Sequence, residues 1–215
     1  MVGTTSQFSL AATYSDGQVR DVTAEATWQS SDPAVATIQT PGSVQGVRLG
    51  YVEVSASFRG LARREPMFVT TSGSYFVTKS DPGDEVGNGS SFAASNIEAG
   101  LYLGGTLTVI DKVGVSTVLV MRSANPQALE LSAYNAMFLA PGTEHALIPQ
   151  PRLRVTLQSR NCSISDQAKG TFEIFELETR KVGGDSLHPV TRLRATFEQF
   201  CGGSGPATRG EVAIR

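Results

Sequence analysis

Three carboxylates crowd one glycine-rich segment of the sequence. Asp81, Asp84 and Glu85 lie in SDPGDEVGNG, residues 80–89. Carboxylate oxygens are the ligands that Ca²⁺ prefers in proteins, so this segment is a candidate calcium site. The spacing is not that of an EF-hand loop, and Asp-Pro-Gly-Asp is also typical of a turn. We favour a turn and keep calcium as the alternative, which predicts a higher melting temperature when Ca²⁺ is added.

The two cysteines are placed to form one disulfide. Cys162 precedes the strand-like segment GTFEIFELE (170–178), and Cys201 follows the strand-like segment VTRLRATFEQF (190–200). If the two segments pair as a hairpin around Gly183-Gly184-Asp185, both cysteines lie at its open end. The chain-entropy model gives such a bridge a stabilisation of about 4 kcal/mol. Two buried free thiols are the alternative, which mass spectrometry without reduction distinguishes. A zinc site needs about four ligands, usually in close pairs, and the two cysteines do not supply them.

The remaining reactive side chains do not form a catalytic pattern. His145 and His188 lie in proline-flanked, loop-like sequence, with no nucleophile elbow and no His-Glu-x-x-His motif. Glu173, Glu176 and Glu178 suggest the paired carboxylates of glycosidases, but strand alternation explains them as the polar face of the hairpin. We therefore predict that the protein is not an enzyme. Other candidates are an arginine cluster, for which we favour a solvated surface, and possible sugar-stacking tyrosines, for which core packing is the commoner role: Arg59, Arg63, Arg64, Tyr14, Tyr51, Tyr75, Tyr102 and Tyr134.

The segments that position these side chains are strands. In the second half of the chain, apolar strands are separated by turns, and the terminal hairpin is the clearest unit. Phe172 and Ile174 on its first arm, and Leu193, Ala195 and Phe197 on its second arm, are expected to share a buried face. We predict an antiparallel β-sandwich, related to a jelly roll, over residues 72–215.

The first 71 residues predict a smaller β-sandwich. Apolar and polar residues alternate from Phe8 onward, and Asp-Gly, Asp-Pro and Pro-Gly mark the turns. Trp28, the only tryptophan, is predicted at the centre of this core, and Phe58 ends its last clear strand.

Two stretches of this first segment, DVTAEATWQSSDPAVATI (21–38) and GYVEVSASF (50–58), resemble the bacterial immunoglobulin-like domain of group 2. The resemblance implies an immunoglobulin-like sandwich of the kind found in adhesins, secreted bacterial proteins and phage virions. Members usually begin with a further strand, which is missing ahead of VGTTSQFSL. The expectation is either a cut N-terminus, which we favour, or an edge completed by a strand from another chain. A size measurement in solution tests strand donation.

The rest of the chain also resembles a known domain. SDPGDEVGNG, NCSISDQAKGTFEIFELE (161–178) and LRATFEQFCGGSGPATRGEVAI (193–214) are similar to a C-terminal β-domain of secreted bacterial proteins. That family implies a fold and a compartment but no activity. Its terminal motif usually carries a histidine where this chain has Phe200, so no role that depends on that histidine is expected.

Composition limits the partners. The formal net charge of −2 gives no basic stripe, which argues against nucleic acid. No apolar run reaches the roughly 20 residues that span a bilayer. No signal peptide is visible, so we expect a processed product or a protein released by lysis.

Together these observations predict an all-β, non-enzymatic protein that is extracellular or at the cell surface, with a phage virion as the alternative location. We expect an adhesion or ligand-recognition module, binding a surface glycan or protein, on an immunoglobulin-like spacer. The alternative is a structural subunit of a surface layer, fibre or virion that contacts copies of itself. No cofactor other than the calcium considered above is expected.

Overall fold

The molecule is built from β-strands joined by turns and loops. The computed structural model describes residues 1–102, 106–112, 116–122, 143–145, 153–155, 162, 169–180, 187–201 and 204–215. Every regular secondary-structure element assigned in these ranges is a β-strand, so the all-β prediction is confirmed. Within the same ranges, no helix has the length and apolarity needed to cross a membrane.

The chain separates into two compact units, Met1–Ser72 and Gly73–Arg215. The first unit forms three small antiparallel sheets, with strand orders β1-β6-β5, β2-β3 and β4-β7-β8. Its strands are β1 (Thr5–Gln7), β2 (Ala11–Thr13), β3 (Val19–Asp21), β4 (Thr27–Ser30), β5 (Ala36–Thr40), β6 (Ser43–Gly46), β7 (Gly50–Phe58) and β8 (Leu61–Val69).

Valines fill the core of the first unit. Val35, Val44, Val52, Val54 and Val69 are each at most 3% exposed and form one cluster. Two of them occupy alternate positions of β7, whose even-numbered residues from 50 to 56 are all buried. The period-2 pattern of the sequence therefore places the buried face correctly.

Trp28 lies at the edge of this core and not at its centre. The indole packs against the valine cluster from outside, and its Nε1 donates a hydrogen bond to the carbonyl oxygen of Thr23 at 2.9 Å. An indole N–H needs such a partner, which the edge provides and the interior among valines does not. Phe58 is also only half-buried, and the guanidinium of Arg59 lies 5.2 Å from its ring.

The second unit contains one large antiparallel sheet. Its described strands follow the order β10-β9-β18-β17-β11-β12-β13-β15, and β16 pairs with both β14 and β17. They are β9 (Tyr75–Ser80), β10 (Ser91–Ala94), β11 (Ile97–Tyr102), β12 (Thr106–Asp111), β13 (Ser116–Arg122), β14 (Thr143–His145), β15 (Leu153–Val155), β16 (Lys169–Thr179), β17 (Leu187–Phe200) and β18 (Ala207–Ile214).

This sheet curls around a single core. Phe76 on β9, near one end of the strand order, and Val109 on β12, near the other, belong to the same buried cluster. β15, at the far end of the order, also lies close to β17, from which three other strands separate it. In a flat sheet these two strands would be roughly 19 Å apart, so the sheet bends over on itself.

The terminal hairpin forms as the sequence predicts. In the register of β16 with β17, Phe172 lies opposite Phe197 and Ile174 opposite Ala195, and all four are at most 4% exposed. The register then shifts by one residue between positions 174 and 176. This β-bulge turns Phe175 outward, where it is 38% exposed. The predicted turn at residues 183–185 lies outside the described residues.

Two stacked phenylalanines in this core require a glycine beside them. The rings of Phe76 and Phe197 lie 5.6 Å apart and nearly parallel, at 8°. Gly210 on β18 is opposite Phe197. A Cβ at Gly210 would lie 2.4 Å from the carbonyl oxygen of Val77 and 2.5 Å from the Phe197 ring, so only glycine fits without a shift.

Candidate functional site

The predicted calcium loop and the two cysteines come together at one end of the second unit. Ser80, the last residue of β9, lies opposite Thr208, near the start of β18. The loop that follows Ser80 brings the carboxylate of Asp84 to the same place, where Cys201 follows β17. We refer to Ser80, Asp84, Cys201 and Thr208 as the Asp84 cluster.

Asp84 is a buried carboxylate that is hydrogen-bonded within its own surroundings. It is 3% exposed. Its Oδ2 accepts hydrogen bonds from the backbone N–H groups of Val86 and Gly87, both at 3.0 Å, and from the Thr208 hydroxyl at 2.7 Å. Its Oδ1 lies 3.9 Å from the sulfur of Cys201. A buried carboxyl group is stable only if its oxygens have hydrogen-bond partners of this kind. The geometry therefore gives Asp84 a structural role that joins the loop to β18.

Asp81 forms a second link between the loop and β18. Its carboxylate accepts hydrogen bonds from the Ala207 N–H at 3.0 Å and from the Arg209 guanidinium at 2.9 and 3.0 Å. The same guanidinium donates to Glu198 at 2.5 Å. Partial burial opposes ionisation of Asp81, but the hydrogen bonds from Arg209 and Ala207 outweigh it and hold the pKa of Asp81 below its usual value.

The glycines of SDPGDEVGNG are required by the close packing of this loop. A Cβ on Gly87 would lie 2.0 Å from Oγ and 2.6 Å from Cβ of Ser80. Gly83 has a φ of 85°, a conformation that favours glycine, and its N–H donates to the side chain of Asn88 at 3.0 Å. The motif is thus explained by the turn and by the short distance between the loop and β9.

The three carboxylates of the proposed calcium site point to different partners. Asp81 is paired with Arg209, Asp84 is hydrogen-bonded inside the loop, and Glu85 is exposed. In the described part of the chain, no group of three histidine, cysteine, aspartate or glutamate side chains is arranged to hold a metal. Calcium binding stays the alternative, and the turn accounts for the geometry. The hydrogen-bond donors of β18 were not recognisable from sequence because they lie more than 120 residues away.

Cys162 and Cys201 form a disulfide, with their Cα atoms 5.1 Å apart. Both residues are 7% exposed. The neighbouring side chain of Gln199, 1% exposed, lies with its Nε2 2.9 Å from the sulfur of Cys162. The bridge closes the open end of the β16–β17 hairpin, as its sequence position indicates.

The three glutamates on β16 that the sequence singled out lie along one strand, and Glu176 forms a surface ion pair with Arg192. Glu176 accepts a hydrogen bond from the Arg192 guanidinium at 2.8 Å, and this bond, the main influence, lowers the pKa of Glu176. On the same strand, Glu173 is half-buried and Glu178 is exposed. On β17, Glu176 and Glu178 lie opposite Arg194 and Arg192, whereas Glu173 lies opposite Thr196. This arrangement agrees with a polar face of the hairpin.

The two histidines lie in strands and not in loops. His145 ends β14 and pairs with Thr171, and His188 is in β17 and pairs with Leu101. The prolines near them led to the loop prediction. Pro189 nevertheless lies within β17, so the longer pairing of that strand overrides the local signal.

The first unit contains an open groove of about 400 Å³. Its walls are the residues around β2 and the turn between β7 and β8: Leu10, Ala11, Ala12, Thr13, Ala56, Phe58, Leu61, Ala62 and Arg63. Tyr14, directly after β2, has two guanidinium groups near its ring, with Cζ of Arg20 at 4.9 Å and Cζ of Arg59 at 5.6 Å from the ring centroid. Of the arginine cluster of the sequence, Arg63 is the member that lines this groove. Sequence reasoning did not identify this groove.

The other tyrosines are less available for stacking. Tyr75 is buried and donates to Glu211 at 2.6 Å. Tyr51 is half-buried and contacts the Phe68 ring edge-on, with the ring centroids 5.6 Å apart. The side chain of Tyr102 and all of Tyr134 lie outside the described residues.

Part of the chain is similar to a known protein. No family model matches the chain. Over 97 residues the chain is 35% identical to ice-binding protein 1 of Shewanella frigidimarina (strain NCIMB 400). The match covers 44% of this chain and 11% of that protein. The chain is thus similar, over less than half its length, to a small part of a much longer ice-binding protein.

Proposed function

We propose that this chain is a non-enzymatic part of an extracellular bacterial protein, an adhesion or ligand-recognition module carried on an immunoglobulin-like spacer. The observation that supports it most is the buried Cys162–Cys201 disulfide. Disulfides form and persist in oxidising compartments and are rare in the cytosol. A bridge that closes the main hairpin of the second unit therefore favours a protein that folds after export.

The use of the reactive groups supports a non-enzymatic role. General acid–base catalysis requires a titratable group within hydrogen-bond reach of a substrate. The buried carboxylate of Asp84 instead accepts bonds from its own loop and from Thr208. Asp81 and Glu176 are paired with arginines at the surface. These groups hold strands and loops together. Their hydrogen bonds and ion pairs explain their positions without a catalytic role.

Ice is one candidate ligand for the protein to which this chain belongs. The similarity to an ice-binding protein supports it, although the match spans only 11% of that relative. The shared segment fits a supporting module as well as a binding one. Surface glycans and proteins remain candidate ligands on the grounds given by the sequence.

A structural subunit of a surface layer or fibre is the second candidate function, with strands donated between chains. The open groove of the first unit, beside strands with unpaired edges, supports it.

The experiment uses the whole chain exported to the periplasm. Mass spectrometry without reduction is expected to find one disulfide and no alkylatable thiol, and two alkylatable thiols would overturn the extracellular proposal. The purified chain is then tested for adsorption to growing ice and on a glycan array. Binding to either supports recognition. Ordered polymers in electron micrographs, without binding, replace recognition by the structural function.

A further inference from the structure

The inner face of β8 is covered at one end and open at the other. In the register of β7 with β8, the buried face of β7 continues onto Leu61, Arg63, Glu65, Met67 and Val69. Val69 is 1% exposed, whereas Leu61 is 80% exposed. A leucine on the inward side of a sandwich normally packs against the opposite sheet. The groove described above is the space where that cover is missing.

The strand across the groove has an unpaired edge. β2 pairs with β3 and with no other strand of the fully described first unit. Three consecutive residues, Ala11–Thr13, line the groove. Because neighbouring side chains of a strand point to opposite faces, such a run lines a groove along the strand edge. A two-stranded ribbon is only marginally stable, and its free N–H and C=O groups are a template for another strand.

The side chains around the groove favour an apolar strand with an acidic residue. Four of the lining residues, Leu10, Ala12, Ala56 and Phe58, are buried or half-buried, and we refer to them as the floor. Arg20 lies directly opposite Ala12 in the β2–β3 register, so it lies on the same face as the floor. Its guanidinium donates to the neutral side chain of Gln18 at 2.8 Å. The neighbouring Asp21 lies opposite Ala11, so it is on the other face.

Arg63 supplies a second positive charge at the groove. It is paired only loosely with Glu65, at 4.0 Å, and its side chain is 77% exposed. Exposed pairs of this kind contribute little, so both Arg20 and Arg63 remain able to bind a carboxylate.

We propose that this groove is a strand-acceptor site. An extended segment of another polypeptide adds to the open edge of β2, buries alternate apolar side chains against Ala12 and Phe58, covers Leu61, and places a carboxylate near Arg20 or Arg63. This is recognition by β-strand addition. The proposal gives the extracellular module a partner. It rests on the proposed function in one respect, namely that the partner is encountered outside the cell.

The test measures peptide binding to the whole chain by calorimetry and by NMR of the β2 amides. The probe is a blocked peptide in which valine alternates with threonine and each end carries aspartate. One control peptide has lysine in place of aspartate, and another has proline in place of the central valine. We expect the aspartate peptide to bind and both controls to bind about tenfold more weakly, because they lose the charge pairing and the backbone N–H, respectively.

Two exposed apolar residues provide a matched pair of variants. Leu61→Asp changes the groove, whereas Val19→Asp makes the same kind of change at a residue that is 65% exposed on β3 and does not line the groove. Leu61→Asp is expected to weaken binding about tenfold and Val19→Asp to leave it unchanged. Arg63→Glu is the second groove variant if Leu61→Asp does not fold.

Three results overturn the proposal. They are no binding of the aspartate peptide, equal binding of the proline peptide, and equal binding by the Leu61→Asp and Val19→Asp variants. The chain could also self-associate in a concentration-dependent manner and bind no peptide. If Leu61→Asp abolishes that self-association, the occupant of the groove is a second copy of the chain, and the proposed partner is overturned. Any of these leaves the thiol count unaffected, so the extracellular proposal is tested separately.

Discussion

Replacing both cysteines by serine, Cys162→Ser with Cys201→Ser, is expected to destabilise the second unit strongly. The two residues are 39 positions apart. Closing a loop of this length in the unfolded chain costs about 13 cal/mol/K of entropy, which is about 4 kcal/mol at 25 °C. For a unit of this size, that loss lowers Tm by roughly 12–16 °C.

Calorimetry and urea unfolding measure this change, and the design separates the bridge from the substitution. The oxidised parent is compared with the same protein under reductant and with the serine variant. In the parent, reduction should lower the free energy of unfolding by most of the amount that the serine variant loses. In the serine variant, reductant should cause no further decrease. The signal of the first unit, followed by Trp28 fluorescence, should be unchanged because the only tryptophan lies there. A loss below about 1 kcal/mol would refute the loop-closure reasoning, because the chain-entropy model requires several times more.

Four further outcomes are expected. Gly210→Ala should destabilise the second unit by about 1–3 kcal/mol through overpacking, whereas Gly73→Ala, with open space around it, should be silent in the same urea titration. Asp84→Asn should cost about 1–3 kcal/mol, because a buried hydrogen-bond set loses an acceptor; Asp16→Asn at the surface is the control, and equal losses would contradict a buried role. Asp81 has a lowered pKa, so its stabilisation is complete above the unfolded pKa of about 3.9 and is lost as the pH falls through the folded value. Acid unfolding should therefore be less steep in Asp81→Asn, and an unchanged acid profile would count against the Arg209 pairing. Finally, millimolar Ca²⁺ should leave Tm unchanged, and an increase would support the calcium alternative over the turn.

Much of the fold could be predicted because strand patterns are local. The alternation of Phe172 and Ile174 with polar neighbours indicates a buried face without knowledge of the partner. The position of Cys162 before one strand and Cys201 after the next then brings the two sulfurs together, because a hairpin folds neighbouring segments onto each other. These predictions depend on spacings of a few residues and on one turn.

The position of Trp28 could not be predicted in the same way. Its size suggests the centre of the core, but the space between the sheets of the first unit is filled by β-branched valines. The indole N–H finds its acceptor at the edge, on the carbonyl of Thr23. Which large side chain lies inside depends on the distance between strands and on the available acceptors, and neither is encoded in the periodicity.

The sequence by itself determined that this protein is all-β, that the segments of β16 and β17 pair as a hairpin, and that its cysteines lie at the open end of that hairpin. These features follow from alternation and turn residues, whose physical effects extend over only a few positions. The tertiary structure alone decided what the SDPGDEVGNG loop does. Asp81 meets Arg209 across 128 residues and Asp84 meets Thr208 across 124, because β18 pairs with β9. Pairing between distant strands is set by the burial of the whole sheet, so only the folded chain reveals that these carboxylates fasten the loop to β18.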